Sequence, residues 1–163
     1  EYLIEQTQEQ SASNTATNID LVFNHPVKEL IFIGTPNPAG GDNRSGPSTP
    51  TSLTGGGLTQ SMKLTLNGHD RFAPQRMEYF TRKQIQQYHT GPGAVTFDDS
   101  IGVYSFALKP EEHQPSGSCN FSRIDNAQLI LNVAIGGQGM TIYAINYNVL
   151  RIMSGMGGLA YSN

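Results

Sequence analysis

The stretch MTIYAINYNVL, residues 140–150, decides the fold because its side chains alternate between two faces. Tyr143 and Ile145 point one way, whereas Ile142 and Ala144 point the other. A period of two, carried by β-branched and aromatic residues, is typical of a β-strand. Apolar residues on both faces indicate a sheet that is covered on each side.

The same period recurs elsewhere, so the chain is predicted to be all-β. The further segments are IDLVF (19–23), VKELIFI (27–33), MKLTLN (62–67), IGVYSFAL (101–108) and AQLILNVAI (127–135). Asn67-Gly68 marks a turn, and residues 136–139 favour a hairpin between the last two strands. Six to eight short strands with long turns predict an antiparallel sandwich or barrel, with jelly-roll and immunoglobulin-like topologies both open.

Two segments lack this alternation. Residues 34–60 hold seven Gly and four Pro with few apolar residues, which predicts a long surface loop outside the core. From Pro74 onward, Met77 and Phe80 lie three residues apart, which predicts one short helix in a connection.

The tail RIMSGMGGLAYSN, residues 151–163, is too rich in Gly for a helix and too apolar for a free end. We expect it to pack across its own sheet, with its end near an interface. The alternative is an arm at a subunit boundary. Between residues 124 and 163 the only charged residues are Asp125 and Arg151.

The composition fits one domain with a low surface charge. The chain has 163 residues, a net charge of −3 and 14% charged residues, against about 25% in ordinary soluble domains. Lys and Arg are scattered, so no footprint for direct nucleic-acid binding is present, and no apolar run is long enough for a membrane span. The low charge indicates either a surface of neutral polar residues or one covered by other subunits.

The segment KPEEHQPSGSCNFSRID, residues 109–125, gathers residue types that hold metals or act as nucleophiles. Glu111, Glu112 and His113 are consecutive, so a regular element cannot point all three at one ion. Cys119 is the only cysteine, which excludes an intrachain disulfide. We therefore predict that this segment is a connection between two strands.

No other motif predicts a catalytic, cofactor-binding or metal-binding residue. The sequence contains no G-x-S-x-G elbow, no phosphate-binding P-loop and no His-x-His pair of the kind a cupin strand carries. Asn43 and Asn120 begin Asn-x-Ser sequons and are possible glycosylation sites. The four histidines are His25, His69, His89 and His113.

Four segments resemble the major capsid protein of nucleocytoplasmic large DNA viruses, the group that includes phycodnaviruses, iridoviruses and marseilleviruses. They are FNHPVKELIFIG, LTLNGHDRF, VYSFALKPEEHQPSGSCNFSRIDNAQL and IYAINYNVLRIMSGMGGLAYSN. The resemblance runs from about residue 23 to residue 163, and residues 34–60 fall outside it, as a variable surface loop would.

The resemblance implies an eight-stranded antiparallel jelly-roll sandwich, the second half of a double jelly roll. Residues 1–163 would then be a single domain, the C-terminal half of a longer capsid protein. Its function would be structural and non-enzymatic, with no cofactor, in the icosahedral shell of the virion. Its partners would be two further copies in a trimeric pseudo-hexagonal capsomer, neighbouring capsomers and minor capsid proteins. The alternatives are a lectin-like jelly roll that binds glycans and a metal-dependent cupin enzyme.

Overall fold

The computed structural model describes residues 1–34, 53, 60–91, 99–135 and 139–162, which form two antiparallel sheets. In chain order the strands are β1 (Tyr2–Ala12), β2 (Asn18–Asp20), β3 (Pro26–Gly34), β4 (Ser61–Leu66), β5 (His69–Asp70), β6 (Gln75–Arg76), β7 (Ile101–Ser105), β8 (Cys119–Asn120), β9 (Ala127–Leu131), β10 (Met140–Met153) and β11 (Met156–Leu159).

The strand order is that of a jelly roll. The first sheet runs β1-β10-β3-β7, with β11 on β10 and β8 on β3, and the second runs β2-β9-β4-β5, with β6 on β4. In the first sheet, β1 pairs with β10, the last long strand of the chain. In the second sheet, β2 pairs with β9, the strand that precedes β10. Successive long strands alternate between the sheets, which wraps the chain around one core. The predicted all-β antiparallel fold is confirmed, while the count of eight strands stays a prediction because short pairs flank the long ones.

All six predicted strands are present, but sequence reasoning missed one strand and wrongly predicted one hairpin. The first sheet begins with β1, eleven residues long, which alternation did not reveal. The expected hairpin at residues 136–139 is absent as a pairing, because β9 and β10 belong to different sheets. The turn after β4 is confirmed: Asn67 and Gly68 have φ of 51° and 79° and join β4 to β5.

The predicted helix is confirmed as a π-helical turn, Tyr79–Lys83, followed by the α-helix α1, Gln84–Tyr88. Phe80 is fully buried and meets the ring of Phe32 edge-on at 6.1 Å. A Cβ on Gly102 would lie 3.3 Å from the Phe80 Cβ, so glycine lets the helical segment approach β7 closely. At the free edge of β7, the Ser105 amide donates to the Gln84 Oε1 at 3.2 Å.

The core lies between the sheets and takes in one residue of the predicted loop 34–60. Within that range only Gly34, Leu53 and Gln60 are described, and Leu53 is fully buried with its amide donating to the Asp99 carbonyl at 2.8 Å. The expectation that the whole range lies outside the core is therefore wrong at Leu53. The largest fully buried apolar side chains are Val27, Leu30, Phe32, Leu53, Met62, Leu64, Met77, Phe80, Leu129, Met140 and Ile142.

Candidate interaction surface

Residues 109–125 connect β7 to β9, as predicted, and they fix the turn between β2 and β3. His25 has a φ of 66°, a left-handed conformation that costs a non-glycine residue free energy. Its amide donates to the Ser122 Oγ at 2.8 Å, and the Phe121 amide donates to its carbonyl at 3.0 Å. The segment therefore has a structural role: it holds His25 in a conformation that the sequence does not favour before Pro26.

Cys119 pairs with Val27 in the short strand β8 and is half-buried. Burial raises the pKa of its thiol, which lowers the fraction of reactive thiolate at neutral pH. In the same segment, the Glu112 carboxylate lies 3.1 Å from the Lys109 Nζ, in an exposed pair. These contacts are those of a connection and not of a nucleophile site.

One cluster of titratable groups was not found by sequence reasoning. The His89 Nε2 lies 2.9 Å from the Glu29 Oε2, and its Nδ1 lies 3.3 Å from the Glu111 Oε1. Burial raises the pKa of Glu29, and the nearby His89 opposes that shift. The Thr90 amide donates to Glu111 at 2.8 Å and lowers the pKa of that carboxylate. The cluster joins β3, the residue that follows α1 and the 109–125 connection. Glu29 and His89 are 60 residues apart along the chain, and His89 and Glu111 are 22 residues apart, so no local spacing in the sequence reveals the cluster.

The remaining predicted candidates do not converge. His69 lies in the exposed two-residue strand β5, and the His113 Nδ1 is 3.5 Å from the Glu5 carboxylate on β1. Among the described residues, no group of three or more His, Cys, Asp or Glu side chains is placed to hold a metal ion. The helices in that part of the chain are all too short or too polar to cross a membrane.

The two sequons differ in what the structure describes. Asn43 lies outside the described residues. Asn120 is exposed at the end of β8, and its Oδ1 accepts a hydrogen bond from the Ser122 amide at 3.1 Å. The amide group of Asn120 thus begins the 3₁₀ turn Phe121–Arg123, and its glycosylation stays a prediction.

The most unusual surface lies at one end of the first sheet, where seven large apolar side chains are exposed. Tyr2 pairs with Leu150 and Leu150 with Leu159, so the start of β1, the end of β10 and β11 lie side by side. We name these seven the terminal patch: Tyr2, Leu3, Ile152, Met153, Met156, Leu159 and Tyr161.

The terminal patch is built by a tight hairpin. Ser154 and Gly155, with φ of 51° and 79°, connect β10 to β11 in the turn geometry that suits two-residue hairpins. The Asn148 Nδ2 donates to the Tyr161 carbonyl at 2.9 Å and holds the end of the tail. The tail thus pairs with its own sheet, but its side chains remain exposed, so the expectation that it packs across the sheet is wrong.

Fold and surface together define a class: an antiparallel jelly-roll protein with low charge and an apolar edge, suited to contact with other proteins. The chain matches, over residues 1–158, the family model described as "Large eukaryotic DNA virus major capsid protein". The chain therefore belongs to the family of large eukaryotic DNA virus major capsid proteins. Membership places it among the structural proteins of the virion capsid, and gives no support to the lectin alternative.

Individual relatives agree with this assignment. The chain is 44% identical to the major capsid protein of Pyramimonas orientalis virus over 182 residues, covering 100% of this chain and 43% of the relative. It is 39% identical to that of Paramecium bursaria Chlorella virus 1 over 217 residues, covering 100% of this chain and 49% of the relative.

A solved structure of the PBCV-1 virus capsid superimposes with a TM-score of 0.74 at 37% identity, covering 99% of this chain and 51% of that one. The major capsid protein of Faustovirus, at 13% identity and a TM-score of 0.62, shares the fold. The chain thus spans about half the length of the two viral relatives and of the PBCV-1 capsid chain, and 33% of the Faustovirus chain, which it matches over 89% of its own length.

Proposed function

We propose that the chain is one jelly roll of a capsid protein that builds an icosahedral shell as trimeric, pseudo-hexagonal capsomers. The observation that carries the proposal is the terminal patch, a set of apolar side chains left in water on a member of a capsid family. Exposed apolar clusters of this kind mark protein–protein contacts. Neighbouring capsomers and minor capsid proteins would then contact the remaining surface.

The proposal assigns the chain no chemical reaction and no cofactor. It is supported by the structural contacts of three chemically capable side chains: Glu29 with His89, Glu111 with Thr90, and Cys119 in β8. It also assigns no direct contact with nucleic acid, because the Lys and Arg residues are scattered along the sequence and form no basic run of the kind that neutralises phosphates.

We further propose that residues 1–163 form a single jelly-roll domain, the C-terminal half of a longer protein whose other half is a second jelly roll. The support is that the whole chain covers only 43% and 49% of the length of two relatives. Residues 34–60 would form an exposed loop around the buried Leu53.

The test is the mass and outline of the full-length protein. Light scattering after size-exclusion chromatography should give the mass of a trimer, and electron microscopy should show a particle with a pseudo-sixfold outline. A protein that stays monomeric at the concentrations reached during virus assembly would overturn the proposal. Soluble protein that binds glycans on an array without assembling would favour the lectin reading instead.

A further inference from the structure

The tip of the 109–125 connection, which we define as residues 111–115, is exposed throughout. The base of the connection is closed by hydrogen bonds. There the Lys109 amide donates to the Ser116 Oγ at 2.9 Å, and the Leu108 amide donates to the Ser116 carbonyl at 3.5 Å. Backbone and hydroxyl groups do not titrate near neutral pH, so the base stays closed when the pH changes.

The tip contacts the rest of the molecule through titratable side chains. The Glu111 Oε1 lies 3.3 Å from the His89 Nδ1 and also accepts from the Thr90 amide at 2.8 Å. The His113 Nδ1 lies 3.5 Å from the Glu5 Oε1 on β1, but its side chain is 65% exposed, so water screens that attraction. The Glu111 contact, which includes a backbone hydrogen bond, is therefore the one that fixes the tip.

His89 lies between two carboxylates, with the Glu29 Oε2 at 2.9 Å from its Nε2 and Glu111 at its Nδ1. A neutral imidazole carries one N–H and one lone pair, so it donates to one of two ionised carboxylates and not to both. Hydrogen bonds on both sides need one further proton, held by the ring or by a carboxyl group. The Thr90 amide lowers the pKa of Glu111, so that carboxylate is the one that stays ionised.

The surroundings of Glu29 favour a proton on the Glu29–His89 pair. Burial raises the pKa of Glu29; His89 and Lys28 oppose the shift, and Glu5 adds to it. Lys28 is shared, since its Nζ lies 2.6 Å from the Glu5 Oε1. Tyr147, opposite Glu5 on β10, stays neutral because burial raises the pKa of its phenol.

We propose that Glu29, His89 and Glu111 form a proton-dependent latch, closed in mildly acidic solution, that releases the tip of the connection as the pH rises. Once the shared proton is lost, the His89 ring has one N–H for two ionised carboxylates. A buried charge without a partner costs more free energy than an exposed one, so the N–H stays with the buried Glu29. The Nδ1 lone pair then faces the ionised Glu111, and the two acceptors repel each other.

The direction of the pH dependence follows from Glu29. Its pKa is raised above 4.5 when the latch is closed, so the latch is complete below pH 4.5 and is lost as the pH rises through the raised value. The exposed surface that this jelly roll presents to other molecules therefore changes with pH. This inference goes beyond the proposed function and does not depend on it.

Hydrogen exchange of the full-length protein, with quench-flow labelling and mass spectrometry, tests the release. The exchange rate of the Thr90 amide, divided into that of an unstructured chain at the same pH, gives a protection factor free of the pH dependence of the exchange chemistry. This factor should fall by at least about fivefold between about pH 5 and pH 8, while β10 changes by less than about twofold. Constant protection of Thr90 would overturn the inference.

Glu29→Gln separates the latch from a general effect of pH. The glutamine amide can donate to the His89 Nε2 at every pH, which leaves the ring N–H for Glu111. Protection of the Thr90 amide should then differ by less than about twofold between pH 5 and pH 8. His113→Gln, which removes the other histidine of the tip contacts, should keep the fivefold loss; the reverse outcome would assign the pH dependence to the wrong histidine.

Glu111→Gln gives a second measurement that does not disturb the core, because residue 111 is exposed. Its amide can accept from or donate to His89, so the repulsion disappears and the fivefold loss should shrink to less than about twofold. Glu112→Gln is the matched control, one position away and also exposed, and should behave as the unmodified protein does. If Glu111→Gln retains the full loss, the inference is wrong even where Glu29→Gln fails to fold.

Discussion

At the scale of single residues, Gly139 has the least room for a side chain among the glycines that the structure describes. Its φ is 93°, and a Cβ there would overlap the Ala12 carbonyl oxygen and lie 3.0 Å from the Asn14 amide nitrogen. Gly139→Ala should therefore lower the free energy of unfolding by more than about 2 kcal/mol, measured by urea denaturation. Gly158→Ala, where the added methyl meets nothing, should change it by less than about 0.5 kcal/mol. Equal effects at both positions would contradict this account.

Glu29 makes the stability depend on pH in a definite direction. Burial raises its pKa above the ordinary value of 4.5, opposed by His89 and Lys28. The folded protein therefore holds this proton to a higher pH than the unfolded chain does. The stability that Glu29 contributes is complete below pH 4.5 and is lost as the pH rises through the folded pKa.

Glu29→Gln carries no titratable proton and should test that direction. Its free energy of unfolding should increase relative to the wild type as the pH is raised from about 4.5 to 7. Urea denaturation at steps across this range measures the difference. Glu9→Gln, on the exposed face of β1, is the control and should run parallel to the wild type. A constant difference for Glu29→Gln would show that the carboxyl is not perturbed by folding.

At the scale of elements, side-chain amides of β1 form hydrogen bonds with the segment after β2 and with β10. The Gln8 Nε2 donates to the Asn24 carbonyl at 2.7 Å and to the Asn146 Oδ1 at 3.0 Å, while its Oε1 accepts from the Asn24 amide at 3.0 Å. Gln10 repeats the pattern with its Oε1 accepting from the Val22 amide at 3.0 Å. These amides take the place of backbone pairing between the first sheet and the segment after β2.

Gln8→Ala should loosen this junction. Three hydrogen bonds are lost and the Asn24 amide loses a partner, so the free energy of unfolding should fall by about 1–3 kcal/mol. Amide hydrogen exchange should rise first at residues 22–24 and along β1. Thr7→Ala, on the opposite and exposed face of β1, serves as the control and should leave both measurements nearly unchanged.

The same amides explain why sequence alternation missed β1. The half-buried positions of this strand include Gln6, Gln8 and Gln10, so its inward face does not show the alternation of apolar and polar residues by which strands are predicted. The strands β3 and β10 were predicted because their inward residues, such as Phe32 and Ile142, are apolar and buried. The prediction of a hairpin at 136–139 was wrong because glycine-rich turn residues indicate a change of chain direction but not the sheet that the next strand joins.

At the scale of the whole molecule, the fold was predictable but the contacts between distant segments were not. Alternation and family resemblance together indicated a jelly roll, and residues 109–125 were rightly interpreted as a connection. The cluster of Glu29, His89 and Glu111 depends on three segments meeting in space, which no spacing encodes. The apolar residues of the tail led to the prediction that its end lies near an interface. The exposed hairpin that the tail forms could not be predicted, because it depends on the pairing of β10 with β11.

The charge distribution of the whole chain predicts how assembly responds to salt. Only 14% of the residues are charged, and the ion pair at the terminal patch, between Glu1 and Arg151, lies within one copy. Sodium chloride screens attraction between opposite charges on different copies, so it has little to weaken here. Raising the sodium chloride concentration from about 0.05 to 0.5 M should change the dissociation constant of the trimer by less than about threefold.

Ammonium sulfate should strengthen assembly, because excluded salts favour the burial of apolar surface. Analytical ultracentrifugation across both salt series measures the dissociation constants. A weakening of more than tenfold in sodium chloride would mean that ion pairs between copies, and not the apolar patch, hold the capsomer together.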